Sequence, residues 1–251
     1  MAKVGLQLYT IKDETAKDFF GTIRTVGRMG YDGVEFAGYF GAAAKDLKKV
    51  LAESGLKAAG SILTLEEFEK DLAGVLAYGK EVGCPAMLVP GIWGDNVSTA
   101  DGVRRSADRM NRIAAACKKL GMKFLFHIHG TEFADLGGRT PMDILLERCD
   151  PALVNFEADV YWIEHAGVDA VQFLKQHGKR CPYIHCKDFK DRTTKRDVEV
   201  GAGAIDMRGV VRQARRDGAE WFIVEQEAFD MPPMESAVIS LRNLRRLVTE
   251  R

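Results

Sequence analysis

The sequence predicts an α/β protein, one closed (β/α)8 barrel covering residues 1–251 as a single domain, on three observations. Short apolar runs alternate about eight times with longer segments of helical period, and parallel strands joined by crossover helices produce that alternation. Eight such units in 251 residues match the size of a closed barrel. Several helical segments stop at a glycine before the next strand (Met29-Gly30, Ser54-Gly55, Val82-Gly83, Leu120-Gly121, Asp217-Gly218), where glycine tolerates the left-handed C-cap. The competing arrangement, an open doubly wound sheet, usually carries a glycine-rich turn after strand 1; here that turn reads LQLYTIKDET.

Taken in order, the predicted strands are Val4–Leu8, Gly33–Ala37, Lys57–Leu63, Ala86–Pro90, Lys123–His129, Leu153–Asp159, Tyr183–Lys187 and Trp221–Glu227. Helical stretches include Phe19–Met29, Ala44–Ser54, Glu66–Val82, Ala100–Leu120 and Ala237–Val248. In such a barrel the chemistry collects at the C-terminal strand ends, and polar residues concentrate there. Strand 1 ends near Gln7 and Tyr9, and strand 2 carries Glu35. Strand 5 ends in His127-Ile128-His129, followed by Glu132; strand 6 ends at Asp159; strands 7 and 8 end at His185, Lys187, Glu225 and Glu227. Alternation puts His127 with His129, His185 with Lys187 and Glu225 with Glu227 on one face, while Phe126, Ile128, Ile184, Cys186 and Val224 face the helices.

Balanced charge, 36 basic against 36 acidic residues, provides no broad field for nucleic acid. No apolar run reaches the roughly 18 residues of a membrane span, and no apolar leader opens the chain. Five cysteines without a CxxC pair argue against a disulfide framework or zinc knuckle and fit a reducing cytoplasm. Nucleic-acid and membrane partners are not expected, and a homo-oligomer is left open.

Imidazoles and carboxylates converging from strands 5 to 8 make a divalent-metal site. Mixed nitrogen and oxygen donors suit Mn, Zn, Co or Fe better than Mg or Ca. A charged cluster inside a barrel mouth costs several kcal/mol unless something compensates it. Lys187 and Glu35 are candidate substrate contacts, as is Gln7. Trp162 is a candidate stacking surface for a sugar, with Trp93 and Tyr9 as weaker versions. Gly201-Ala202-Gly203 lacks the third glycine of a dinucleotide turn and follows a loop with nine charged residues in fourteen.

The segments GLQLYT near the start, GYDGVEF (30–36), HIHGTEF (127–133), ADVYWIEHAG (158–167), PYIHCKD (182–188), EVGAGAIDM (199–207) and WFIVEQE (221–227) together resemble the xylose-isomerase-like TIM-barrel superfamily. The resemblance lies in its sugar phosphate isomerase/epimerase branch and covers nearly the whole chain. It implies a divalent metal held by one residue from each of strands 5 to 8, usually Glu, Asp, His and Glu. Asp159, His185 and Glu225 match that pattern; His127 stands at the strand-5 position, with Glu132 as the alternative ligand. Family epimerases work with a pair of glutamates on opposite faces of the substrate, and His127 replaces one of them. Proton transfer is then expected from His129, an imidazole titrating near about 6.5, with Glu225 and Glu132 as further catalytic candidates. The implied activity is a metal-dependent isomerase or epimerase acting through an enediolate on a keto-sugar, sugar phosphate or polyol. A dehydratase or lyase of the same fold is the alternative, of the inosose-dehydratase or keto-glycoside-cleaving kind, and an idle sugar-binding barrel stands behind both. Phosphodiester hydrolysis, as in apurinic endonucleases of this fold, needs more histidine ligands and a DNA-binding surface.

Overall fold

Eight strands, each followed by a helix, close into a parallel barrel in the computed structural model, which describes residues 2–250. The strands are β1 (Lys3–Gln7), β2 (Gly33–Phe36), β3 (Lys57–Ile62), β4 (Ala86–Pro90), β5 (Lys123–His127), β6 (Val154–Asp159), β7 (Tyr183–Cys186) and β8 (Trp221–Val224). The outer ring is α1 (Phe19–Met29), α2 (Ala44–Glu53), α3 (Leu72–Val82), α4 (Ala100–Lys119), α5 (Pro141–Arg148), α6 (Ala170–His177), α7 (Met207–Asp217) and α8 (Pro233–Thr249). Strand β1 pairs with β8 as well as β2, which shuts the barrel. The predicted fold class is the one observed.

Boundaries differ where local chemistry intervenes. Glu66–Val82 is two helices, because Asp71 leaves helical geometry and accepts the N–H of Gly74, starting a new cap. Strand β5 ends at His127 and β8 at Val224, each short of the predicted end, so His129, Glu225 and Glu227 sit on the loops above. After β7 the chain forms an unpredicted two-stranded antiparallel ribbon, Asp188–Phe189 with Asp197–Val198. Asp188 then accepts the N–H groups of Gly201, Gly203 and Ile205, so the GAG segment is a turn wrapped on a carboxylate. A Cβ at Gly203 would lie 2.2 Å from Phe189 O, so no larger residue fits that turn.

Alternation sorts the side chains into two cores. Phe124, Phe126, Phe156, Ile184, Cys186, Phe222 and Val224 join the layer between barrel and helices. Ala59, Ala86, Leu88, Leu125, Tyr183, Trp221 and Ile223 form a separate plug inside the barrel. Tyr183 donates its hydroxyl across the barrel to Ala59 O at 2.7 Å. Trp221 needs glycine beside it: a Cβ at Gly33 would meet its ring at 2.6 Å. This plug is the floor on which the polar residues stand.

Candidate metal centre

One step above the plug, the inward positions turn polar. On β5 the inward Leu125 is followed by His127; on β7 Tyr183 by His185; on β8 Ile223 by Glu225; and β6 contributes Asp159. His127, Asp159, His185 and Glu225 are all buried and offer ligand atoms within 4.8 Å of one another. Asp159 Oδ2 lies 3.9 Å from both His127 Nε2 and His185 Nδ1, and His185 Nδ1 lies 3.1 Å from Glu225 Oε2. The other Asp159 oxygen accepts the N–H groups of Tyr161 and Trp162, capping a short helix and fixing the carboxylate.

The donor set fits a divalent cation. Asp159 Oδ2 is buried without a hydrogen-bond partner and points into the cluster, the orphaned acceptor a bound cation would satisfy. Burial and the Glu225 charge push Asp159 up to about 8. Burial also opposes the charged form of Glu225, but His185 and Lys187 outweigh it and hold that carboxyl far below the usual range. Burial opposes a charge on His185 too, yet Glu157, Glu225 and Glu35 raise it well above the ordinary histidine value. Desolvation lowers His127 to about 3, with the neighbouring His185 adding to it.

Behind the rings lies a layer that the sequence reading half missed. Glu157 is fully buried, with Oε2 2.8 Å from His127 Nδ1 and 3.2 Å from His185 Nε2. Its signal was present, since it precedes Asp159 by two residues and so shares the inward face. Glu35, expected as a substrate contact, is instead fully buried beneath the cluster with Oε2 2.8 Å from His185 Nε2. Its strand position points it at the ring from below, away from the pocket. Burial and the Glu157 charge raise Glu35 to about 7. Gln7 lines the pocket, but its Nε2 donates to Glu35 at 2.7 Å and its Oε1 accepts from Tyr9 N–H.

The pocket above has a volume of about 330 Å³ and reaches Tyr9, Trp93, His129, Glu225 and Glu227 as well as His127. His129 packs between the rings of Trp93 and Trp162 at centroid distances of 6.0 and 5.6 Å. Burial, with His127 beside it, lowers His129 to about 3, which corrects the expectation of an unperturbed imidazole. Glu132 is fully buried and accepts the N–H of His129 at 2.9 Å, tying down the loop; His127, and not Glu132, joins the four-residue cluster. Desolvation pushes Glu132 up to about 7. Lys187 is buried, paired with Glu227 and 3.8 Å from Asp197, with its ammonium 4.5 Å over the Tyr161 ring and 4.9 Å over that of Trp162. Trp162 therefore packs on His129 and Lys187, and the aromatic faces that line the pocket are Tyr9 and Trp93, 42% and 51% exposed.

The xylose isomerase-like TIM-barrel family model matches residues 23–247. An inosose dehydratase of Geobacillus kaustophilus is 24% identical over 187 residues, 66% of this chain and 60% of the relative. The chain spans 50 to 60% of the length of the first curated relatives it matches. A sugar phosphate isomerase/epimerase from Parabacteroides distasonis superposes with a TM-score of 0.87 at 23% identity, covering 99% of this chain and 100% of that one. The IolI protein with a bound zinc atom gives a TM-score of 0.78 at 14% identity, covering 98% of both chains. At these identities the structural likenesses show the fold. No helix among the described residues is long and apolar enough to cross a membrane.

Proposed function

The chain belongs to the xylose isomerase-like TIM-barrel family, and on that premise we propose that it is a divalent-metal-dependent enzyme removing a proton beside the carbonyl of an uncharged keto-sugar or keto-polyol. The observation that carries the reading is the four-donor cluster at the foot of a pocket lined by His129. His127, Asp159, His185 and Glu225 would hold the ion; Mn, Zn, Co or Fe suits two nitrogens and two oxygens, and the zinc of the IolI relative agrees. Bound there, the ion supplies Lewis acidity to a carbonyl and a neighbouring hydroxyl.

The chain's own residues do the rest. Burial keeps His129 neutral and so able to accept a proton at neutral pH, though it weakens the ring as a base; the Glu225 charge opposes that by favouring the imidazolium. Glu227 at the rim accepts substrate hydroxyls, and Trp93 and Tyr9 offer apolar faces to a sugar ring. Position 127 carries an imidazole where an epimerase of this family would carry its second carboxylate, and Glu132 is bound to backbone. A base on one face serves elimination of a β-substituent or isomerisation; epimerisation requires groups on both faces. Dehydration is the outcome we favour, since the curated relatives are inosose dehydratases; ketose–aldose isomerisation is the second reading.

An unphosphorylated substrate is part of this proposal, resting on the make-up of the loop after β8. Barrels of this kind often bind phosphate with the loops after strands 7 and 8 and a helix N-terminus. Here the loop after β8 carries Glu225, Glu227 and Asp230, and α8 opens on Pro232-Pro233, which lacks N–H donors. Three nearby cations are paired with carboxylates: Lys187 with Glu227, Arg196 with Asp230 and Arg192 with Glu164.

The test is solvent deuterium exchange at the carbon beside the carbonyl, with inosose and unphosphorylated ketohexoses, comparing wild type with His129→Gln. General acid–base catalysis contributes about 10²–10⁴-fold, so exchange should fall by that order with metal content unchanged. Exchange at the wild-type rate would pass the role to Glu225. Loss of one water from the product, read by mass, separates dehydration from isomerisation.

A further inference from the structure

We infer that Glu157 is a positioning residue that sets which nitrogen of the His127 ring faces Asp159. Its Oε2 contacts Nδ1 of His127 at 2.8 Å and Nε2 of His185 at 3.2 Å, different nitrogens of the two rings. A carboxylate oxygen accepts, so the 2.8 Å contact places an N–H on His127 Nδ1. The lone pair of His127 is then left on Nε2, 3.9 Å from Asp159 Oδ2, whereas His185 Nδ1 faces Glu225 Oε2 at 3.1 Å. That oxygen thereby turns the His127 ring with Nε2 toward the cluster, while at His185 Nε2 it only shares the contact with Glu35. The register makes this possible: Glu157 is paired with His127 across β5 and β6, while Asp159, one inward position higher, is paired with His185.

The dependence is unequal. His185 Nε2 has a second acceptor in Glu35 at 2.8 Å, itself held by the Gln7 amide at 2.7 Å. Glu157 is the one carboxylate at His127 Nδ1 among the described residues. Removing Glu157 should free His127 and leave His185 still oriented by Glu35. A carboxylate or carbonyl on the far nitrogen of a ligating histidine typically carries 10- to 100-fold of metal affinity, so the loss should be of that order.

The experiment has two parts, and only the second rests on the metal reading. Ring-¹⁵N histidine spectra of the metal-free protein should show the His127 proton on Nδ1. That preference should be lost in Glu157→Leu, restored in part by Glu157→Gln, which keeps an acceptor oxygen, and unchanged in Glu35→Leu. Cobalt(II) titration followed by visible absorption should show one ion per chain in the wild type, bound about 10- to 100-fold more weakly by Glu157→Leu. Glu35→Leu should lose less. A wild-type His127 protonated on Nε2 overturns the inference, as does unchanged cobalt affinity and spectrum in Glu157→Leu. Two cobalt ions per chain would also overturn it, since Glu35, Glu157 and His185 would then be ligands of a second ion. Should the wild type bind no cobalt, the metal reading fails, while the nitrogen spectra still decide the role of Glu157. The wild-type spectrum alone decides if the leucine variant does not fold.

Discussion

The floor and the mouth of this barrel are built from the same strands and obey opposite rules. On β7, Tyr183 belongs to the apolar plug and His185 to the polar cluster; on β8, Trp221 and Ile223 lie in the plug and Glu225 stands above them. A single period of two supplies both, because inward positions on a strand recur every second residue. The floor is satisfied: apolar side chains interlock, and the Tyr183 hydroxyl finds a carbonyl. The mouth is not, with buried and unpartnered oxygens on Asp159, Glu157 and Glu35. The dry floor is also a reason for the displaced proton affinities above it, since it keeps water away from the underside of the cluster. Stability is built into one layer and chemical tension into the next.

Removing a ligand from the mouth should have the largest effect. His185→Ala and Asp159→Ala should each lose the stoichiometric ion while circular dichroism stays native, because the plug beneath is untouched. Metal retained at one equivalent in both, by elemental analysis, would break the contrast.

The reverse change sharpens it. Trp221→Ala opens a cavity in the floor and should cost about 3–5 kcal/mol in denaturant unfolding. Metal content should persist wherever the variant is folded. If the ion is lost along with stability, floor and mouth are one cooperative unit.

Cys186 tests the alternation between the two regions. It follows His185 and packs outward against the helices, and burial pushes its thiol above the ordinary range. Cys186→Ala should cost about 1 kcal/mol in unfolding and leave metal content unchanged. A metal–sulfur distance near about 2.3 Å in a metal-loaded crystal would refute the register.

The smallest effect lies at the rim of the floor, where Arg245 bonds both oxygens of Asp32 at 2.7 and 2.8 Å. Burial opposes the Asp32 charge, but the guanidinium and the Val4 N–H outweigh it and lower its pKa. A lowered carboxyl stabilises the fold above its unfolded value, near about 3.9, and that contribution fades as pH falls through the folded value. With both side chains partly exposed, the contribution is about 1 kcal/mol or less. Wild type should therefore exceed Asp32→Asn at pH 7, and the two should converge at strongly acidic pH. A gap that persists unchanged in acid would show that the pair contributes no charge-dependent stability.

The fold was legible because it follows from local period and punctuation: strand starts and ends were read within a few residues from apolar runs and glycine stops. The exceptions have local causes that a pattern count overlooks, such as Asp71 capping a new helix inside an apparently continuous one. Of the site, the inward-facing His127, Asp159, His185 and Glu225 were accessible through alternation, and the structure brings the four together. Glu157 was equally accessible by the same rule and was passed over because it precedes the strand end.

The sequence by itself thus determined the barrel, the end at which polar groups gather, and the residues that point inward, because each depends on neighbours two to four positions away. Tertiary structure alone decided what those groups are. Trp93, from the loop after β4, and Trp162, from the short helix that Asp159 caps, pack on His129, whose burial lowers its basicity. Glu227 and Asp197 neutralise Lys187, and Glu35 lies under His185 where it had been expected to meet substrate. Proton affinity and ring orientation are set by desolvation and by charges within a few ångströms through space, and those neighbours are assigned only when the chain closes on itself.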